Sequence, residues 1–192
     1  MRRRVGGQRR KAIWGLDDGL LDAARQIPSP NFDARPHGSD IELLVIHSIS
    51  LPPGHFGGDA VIRFFTNRLD PAEHPYFRKI AGLKVSAHFF IRRDGELIQF
   101  VPCAGRAWHA GESQWRGRGR CNDFSIGVEL EGADDVAFSD AQYEVLGRLT
   151  RALKKAYPIV DIVGHSDIAV PAGRKTDPGP FFDWPRFRET IA

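Results

Sequence analysis

Cysteine is almost missing from this chain: Cys103 and Cys121 are the two thiols in 192 residues. That is too few for a disulfide framework, and without a CxxC pair there is no thiolate zinc motif. Reduced thiols are therefore expected, and any metal has to be held by histidine and carboxylate. Long apolar runs are missing too. The longest, Leu43 to Ile46, has four residues, against the roughly 20 that span a bilayer, so no membrane-spanning helix and no membrane partner are expected. Positive charge is scarce outside the head. Lys and Arg outnumber Asp and Glu by 27 to 24, but Arg2, Arg3, Arg4, Arg9, Arg10 and Lys11 all fall in the first eleven residues, which hold no acid. The other 21 cations face 24 acids, so the pI near 9.1 reports the head. A basic body suited to nucleic acid is excluded. The head is followed by AIWGLDDGLLDAARQ, which carries acids and no apolar core of a signal peptide. The expectation is a cytoplasmic protein.

What is present is the making of one domain. With 42% hydrophobic residues, a chain of this length buries roughly 70% of its unfolded surface without needing a partner, so a monomer is expected. Residues 1–15 read as a basic, disordered tail and residues 16–192 as the domain. Residues 17–26 suggest a short helix. IELLVIH, 41–47, reads as a strand buried on both faces and ending in His47. Residues 59–69 have helical spacing, with Asp59 placed to cap them. The span 85–101 reads as two strands about an Asp94-Gly95 turn, and 124–130 as a further strand. Ser139 and Gln142 form a capping-box pair opening a helix, and 159–165 reads as a strand that again ends in a histidine, His165. A Gly- and Pro-rich stretch follows, then a helix capped by Asp183 with Pro185 in its first turn. The fold class is α/β, a single domain with a mixed central β-sheet covered by helices.

Seven histidines are the unusual resource. His37, His55 and His74 sit beside Gly or Pro and read as surface, and His88, between Ala87 and Phe89, reads as a hydrogen-bonded core residue. His109 lies in a loop able to line a pocket. His47 and His165 each end a buried-looking strand, where α/β sheets present functional groups. With Asp177 from the stiff RKTDPGP loop they make a two-imidazole, one-carboxylate set that suits zinc and leaves a fourth position open. Spacing alone favours the plainer reading, in which both histidines merely end strands and Asp177 organises a turn. Lys175, two residues before Asp177, projects to the same side in an extended loop. Glu129 points away from Val128 and Leu130, either as an ion-pair partner or as a functional acid or base.

The strings LLVIHSISLPPGHFGG, HPYFRKIAGLKVSAHFFIRRDGELIQFVP, RAWHAGES, RCNDFSIGVELEG, QYEVLGRLTRAL and GHSDIA with RKTDPGPFFDW together resemble the AmpD-type N-acetylmuramyl-L-alanine amidases, within the amidase superfamily of peptidoglycan-recognition proteins and phage lysozymes. The resemblance runs in order from about residue 28 to 188. It implies a Zn2+-dependent amidase that cleaves between the lactyl group of N-acetylmuramic acid and L-alanine, acting in the cytoplasm on 1,6-anhydro muropeptides during peptidoglycan recycling. It also implies that His47, His165 and Asp177 hold the zinc and that Glu129 and Lys175 are the catalytic pair. Trp108, Arg120, Ala169 and Lys84 fall at substrate-contacting positions, with His109 beside Trp108 shaping the sugar pocket. Three departures stand out. Ser48 replaces a common Asn, putting one substrate hydrogen bond in question. Lys84 replaces an Arg, exchanging a planar fork for a point charge. The segment HSDIAVPAGRKTD is a couple of residues longer than usual, which bears on where Lys175 lies. Relatives in the superfamily that bind peptidoglycan without cleaving it make a binding module the second reading, and a tethering role for the basic head the third.

Overall fold

The apolar run of the sequence lies one strand in from the edge of the sheet in the computed structural model, which describes residues 14–192. Six strands build that sheet: β1 (Arg25–Gln26), β2 (Leu43–Ile49), β3 (Phe89–Ile91), β4 (Leu97–Gln99), β5 (Ser125–Glu131) and β6 (Asp161–Gly164). Their order is β6-β2-β5-β3-β4-β1. β2 is parallel to β6 and β5, and β5 is parallel to β3. β3 and β4 form the antiparallel hairpin about Asp94-Gly95, and β1 pairs parallel with β4. The sheet is therefore mixed, as the alternation of element types implied. Parallel strands covered on both sides need apolar residues on both faces, and Leu43, Leu44, Val45 and Ile46 are all buried.

Five helices flank the sheet: α1 (Ala60–Phe65), α2 (Pro75–Ile80), α3 (Asp140–Ala156), α4 (His165–Ile168) and α5 (Trp184–Ile191). α3 starts where Ser139 and Gln142 complete the capping box. Its buried side, with Leu146, Leu149 and Leu153, packs with Phe187 of α5 against Leu44, Ile46, Val128 and Leu130. Burying each such side chain contributes about 1.5–3 kcal/mol. A Cβ on Gly147 would lie 2.4 Å from Thr190 Oγ1, so the approach of α3 and α5 requires glycine there. On the opposite face α1 and α2 bring Val61, Phe65 and Phe77 against Phe90, Ile98 and Phe100.

Several expectations are corrected. Residues 17–26 are not helical: Leu16–Asp17 and Leu20–Leu21 form a small antiparallel pair about Asp18 and Gly19, both at positive φ. That is the Asp-Gly hairpin chemistry. Buried Gln99 then fastens the segment, accepting from Leu21 N at 2.8 Å and donating to the Gly19 carbonyl at 2.8 Å. The 59–69 helix shrinks to Ala60–Phe65, and Asp59 makes no capping bond because its carboxylate instead accepts from Arg63 at 3.0 Å. His74 is not plain surface: it caps α2, accepting from Tyr76 N at 3.0 Å. The expected strand 159–165 stops at Gly164, and His165 opens α4 instead of ending β6.

His88 is fully buried, and Nδ1 accepts from Gly127 N at 3.0 Å while Nε2 lies 3.2 Å from the Gly105 carbonyl. The basic tail lies, through residue 13, outside the described residues. Trp14 packs partly buried against the core, with the Arg148 guanidinium 4.4 Å from its ring centroid.

Candidate active site

Strand register brings the chemistry together. β2 and β5 are parallel with His47 opposite Glu129, and aligned residues on neighbouring strands share a face of the sheet. β2 pairs with β6 as far as Ile46 and Gly164, and the next residue, His165, begins α4. The loop after α4 returns Asp177 to the same place, held by a hydrogen bond from Ser166 N to the Asp177 carbonyl at 3.0 Å.

The three side chains converge. His47 Nδ1 and His165 Nδ1 are 3.0 Å apart, and Asp177 Oδ2 lies 3.1 Å from the first and 3.0 Å from the second. They form the one cluster of metal-ligating groups found among the described residues. His165 Nε2 donates to the Ala110 carbonyl at 3.0 Å, which leaves the lone pair of neutral His165 on Nδ1, aimed at the cluster. Two imidazoles and an anionic oxygen, buried and converging within hydrogen-bond distance of one another, are a donor set that fits zinc. Burial lowers the His47 pKa to about 4 even though the bond to Asp177 opposes the shift. Burial alone would raise Asp177, yet its bonds to His165 and His47 hold it well below the usual carboxylate range.

A cleft of about 500 Å³ opens over this cluster. Glu129 lines it. Its carboxyl is almost wholly buried, and Oε2 has no hydrogen-bond partner. Burial drives the Glu129 pKa well up; Asp177 adds to the shift and Lys175 opposes it. Lys175 stands on the rim of the same cleft. The far wall is apolar, with Phe64, Ile80 and Leu83 beside Tyr76.

The loop carrying Lys175 and Asp177 is tied down along its course. Ser113 and Ala169 form a β-bridge, Val170 N donates to the Glu112 carbonyl at 3.1 Å, and the chain turns at Pro171–Arg174, where Arg174 N donates to the Pro171 carbonyl at 3.1 Å. Arg174 then folds back, donating to the carbonyls of Val170 at 2.8 Å, Glu112 at 2.7 Å and Ala110 at 3.2 Å. Thr176 is tied to Asp134.

Other expected site residues are placed unevenly. Ser48, Trp108 and His109 line the cleft, and Trp108 Nε1 donates to Asp33 at 3.2 Å. Lys84 lines an adjoining recess of about 270 Å³ with Trp108 and Arg174. Ala169 is buried under the bridge to Ser113. Arg120 is not among the residues lining these cavities; its side chain is 74% exposed and pairs with Asp123 at 3.2 Å. Tyr76, Arg174, Thr176 and Asp134 were not singled out by the sequence reading. Of these, only Arg174 and Thr176 carried a signal, as neighbours of Lys175 and Asp177.

Comparison with known proteins agrees with this geometry. The N-acetylmuramoyl-L-alanine amidase family matches residues 37–180. The 1,6-anhydro-N-acetylmuramyl-L-alanine amidase AmpD of Escherichia coli K12 is 56% identical over 179 residues, which cover 92% of this chain and 97% of that protein. The crystal structure of a selenomethionine AmpD derivative superposes with a TM-score of 0.89 at 56% identity, covering 92% of this chain and 99% of the other. A crystal structure of AmpDh3 from Pseudomonas aeruginosa in complex with an anhydromuramic pentapeptide is similar at TM-score 0.57 and 30% identity, covering 81% of this chain and 61% of that one. With three quarters of its length inside the family match and its fold shared with solved relatives, this chain belongs to the N-acetylmuramoyl-L-alanine amidase family.

Proposed function

We propose that this protein hydrolyses the amide bond between the lactyl group of 1,6-anhydro-N-acetylmuramic acid and L-alanine in muropeptides, with a zinc ion held by His47, His165 and Asp177. The observation that carries the reading is the convergence of those three side chains at the floor of the cleft that Glu129 also lines. The activity in the name of the E. coli relative and the anhydromuramic pentapeptide bound in the Pseudomonas structure support the substrate class.

His47, His165 and Asp177 would hold the ion, and a zinc ion there would supply the Lewis acidity that lowers the pKa of water and favours attack near neutral pH. Glu129, on the cleft wall, takes the water's proton as oxygen bonds to the lactyl carbonyl carbon. It then delivers that proton to the alanine nitrogen as the C–N bond breaks. A carboxyl with raised proton affinity and an unpartnered oxygen suits both transfers. Lys175, lining the same cleft, presents its ammonium to the developing oxyanion. Trp108 and the apolar wall of Phe64, Ile80 and Leu83 exclude water from the sugar and the first stem residues. Ser48 and Lys84 meet the remaining polar groups. Peptidoglycan recycling in the cytoplasm completes the proposal; both cysteines are buried and unbridged, which agrees with a reducing compartment.

The deciding experiment is mass spectrometry of a purified 1,6-anhydro muropeptide incubated with zinc-loaded, chelator-treated and zinc-restored protein. Free stem peptide should appear with the first, vanish with the second and return with the third. Zinc-loaded protein that binds the muropeptide without cleaving it would replace the amidase with a binding module.

A further inference from the structure

We propose that His109 is a positioning residue for His47, fixing its tautomer and ring plane through a relay that ends on Ser125. The inference rests on the reading of His47, His165 and Asp177 as metal ligands. It differs from the sugar-contacting role that the position of His109 beside Trp108 suggests.

Both ring nitrogens of His109 are engaged inside the protein. Nδ1 lies 2.9 Å from His47 Nε2, and Nε2 lies 3.1 Å from Ser125 Oγ. The two rings meet edge to face at 87° with centroids 5.0 Å apart. All three residues are buried. A neutral imidazole has one donor and one acceptor nitrogen, so the chain has a direction. Once His47 Nδ1 turns its lone pair to a cation shared with His165 and Asp177, His47 Nε2–H must donate to His109 Nδ1. His109 Nε2–H then donates to the Ser125 hydroxyl, which is able to accept. Ligand imidazoles are ordinarily oriented through the second nitrogen in this way, by a carboxylate or a carbonyl. Here a second histidine takes that part.

The surroundings over-determine where the His109 ring lies. Ser125, Gly127 and Glu129 follow one another on the same face of β5. A Cβ on Gly127 would sit 2.4 Å from His109 Cγ, so the ring rests directly on the strand backbone and any side chain there would evict it. Asn122 Oδ1 accepts from His109 N at 3.2 Å and from Ala110 N at 2.9 Å. The Ala110 carbonyl in turn takes His165 Nε2–H at 3.0 Å. One dipeptide pinned by Asn122 thus orients both histidine ligands, His47 through a side chain and His165 through the backbone.

The test uses zinc-loaded full-length protein labelled with 15N-histidine. Long-range 1H–15N correlation should show His47 protonated at Nε2, with that proton slow to exchange. In His109→Ala the proton should exchange rapidly and zinc affinity, measured by chelator competition, should fall about 10- to 100-fold, while KM for the muropeptide stays within about twofold. Ser125→Ala, a gentler change, should weaken zinc binding about threefold and is decisive together with the wild-type spectrum if His109→Ala fails to fold. Zinc affinity unchanged in both variants, a raised KM at unchanged affinity, or a zinc-loaded wild type protonated at His47 Nδ1 would overturn the relay. A wild type that binds no zinc would remove the metal reading itself, an outcome separable from the others by the first titration.

Discussion

The two faces of β5 are equally buried and chemically opposite. All seven residues from Ser125 to Glu131 are buried. Ile126, Val128 and Leu130 point into the apolar layer under α3 and α5. Ser125, Gly127, Glu129 and Glu131 point to the side that holds the cleft. Along β5, therefore, burial does not separate core from site; hydrogen-bond satisfaction does. Ser125 reaches His109, and Glu131 accepts from Gly57 N at 2.5 Å and Arg93 N at 3.1 Å. Glu129 alone on that face keeps a buried oxygen without a partner. On this face of β5 the satisfied polar groups fix the architecture, and the one left unsatisfied is the one with chemistry to do.

The sharpest way to break this contrast is to substitute adjacent residues on opposite faces. Glu129→Gln should cut turnover of an anhydro muropeptide by about 100- to 10,000-fold without lowering the melting temperature, since it removes a costly buried carboxyl. A variant that melts earlier would make Glu129 structural. Leu130→Ala, one residue on, should do the reverse. Denaturant unfolding should show a loss of about 2–5 kcal/mol, with kcat of the folded fraction unchanged.

The comparison also extends to the loop over the site. Arg174→Ala removes three bonds to backbone carbonyls and should lower kcat/KM about tenfold, in line with the sensitivity of rate to small misplacement. The same variant should leave Tm nearly unchanged, because the guanidinium lies at the exposed surface.

His88 supplies the smallest and most continuous test, as a satisfied polar group on the site face. Burial first, then the neighbouring Arg35, lower its pKa to about 3, and protonation would cost it the bond from Gly127 N. Its native pKa is below the unfolded value of about 6.5. Its contribution is therefore fully present above pH 6.5 and is lost as pH falls toward 3. Between those limits wild type should lose stability more steeply than His88→Gln, by up to about 1.4 kcal/mol per pH unit. Equal slopes would mean His88 is charged in the native state.

How much of this was legible in the sequence depends on whether the signal is local. The hairpin about Asp94-Gly95, the capping box at Ser139 and the alternation that sets Glu129 apart from Val128 and Leu130 are short-range, and each stands as expected. The N-terminal segment was misread because its helix-like spacing outweighed an Asp-Gly turn. β1, two polar residues paired to β4, carries no strand signal at all. The site splits the same way. His47 and His165 could be nominated from expected strand ends, although β2 runs on past His47 to Ile49 and His165 begins a helix. The partnership of His109 with Ser125 needs the register of β5 against a distant loop. The half-buried guanidinium of Arg35, which donates to the Ser125 carbonyl at 2.8 Å and the Asn122 carbonyl at 2.9 Å, left no pattern by which it could be placed against the strand.

The turn after Val170 has a practical meaning. It is closed at its neck by the Ser113–Ala169 bridge and the folded-back Arg174, while its tip is open, with nothing within 4 Å of a Cβ built on Gly173. The segment between Pro171 and Gly173 is thus a natural attachment point, where a dye, an affinity tag or a short inserted peptide would report on the mouth of the cleft without retuning what happens inside it.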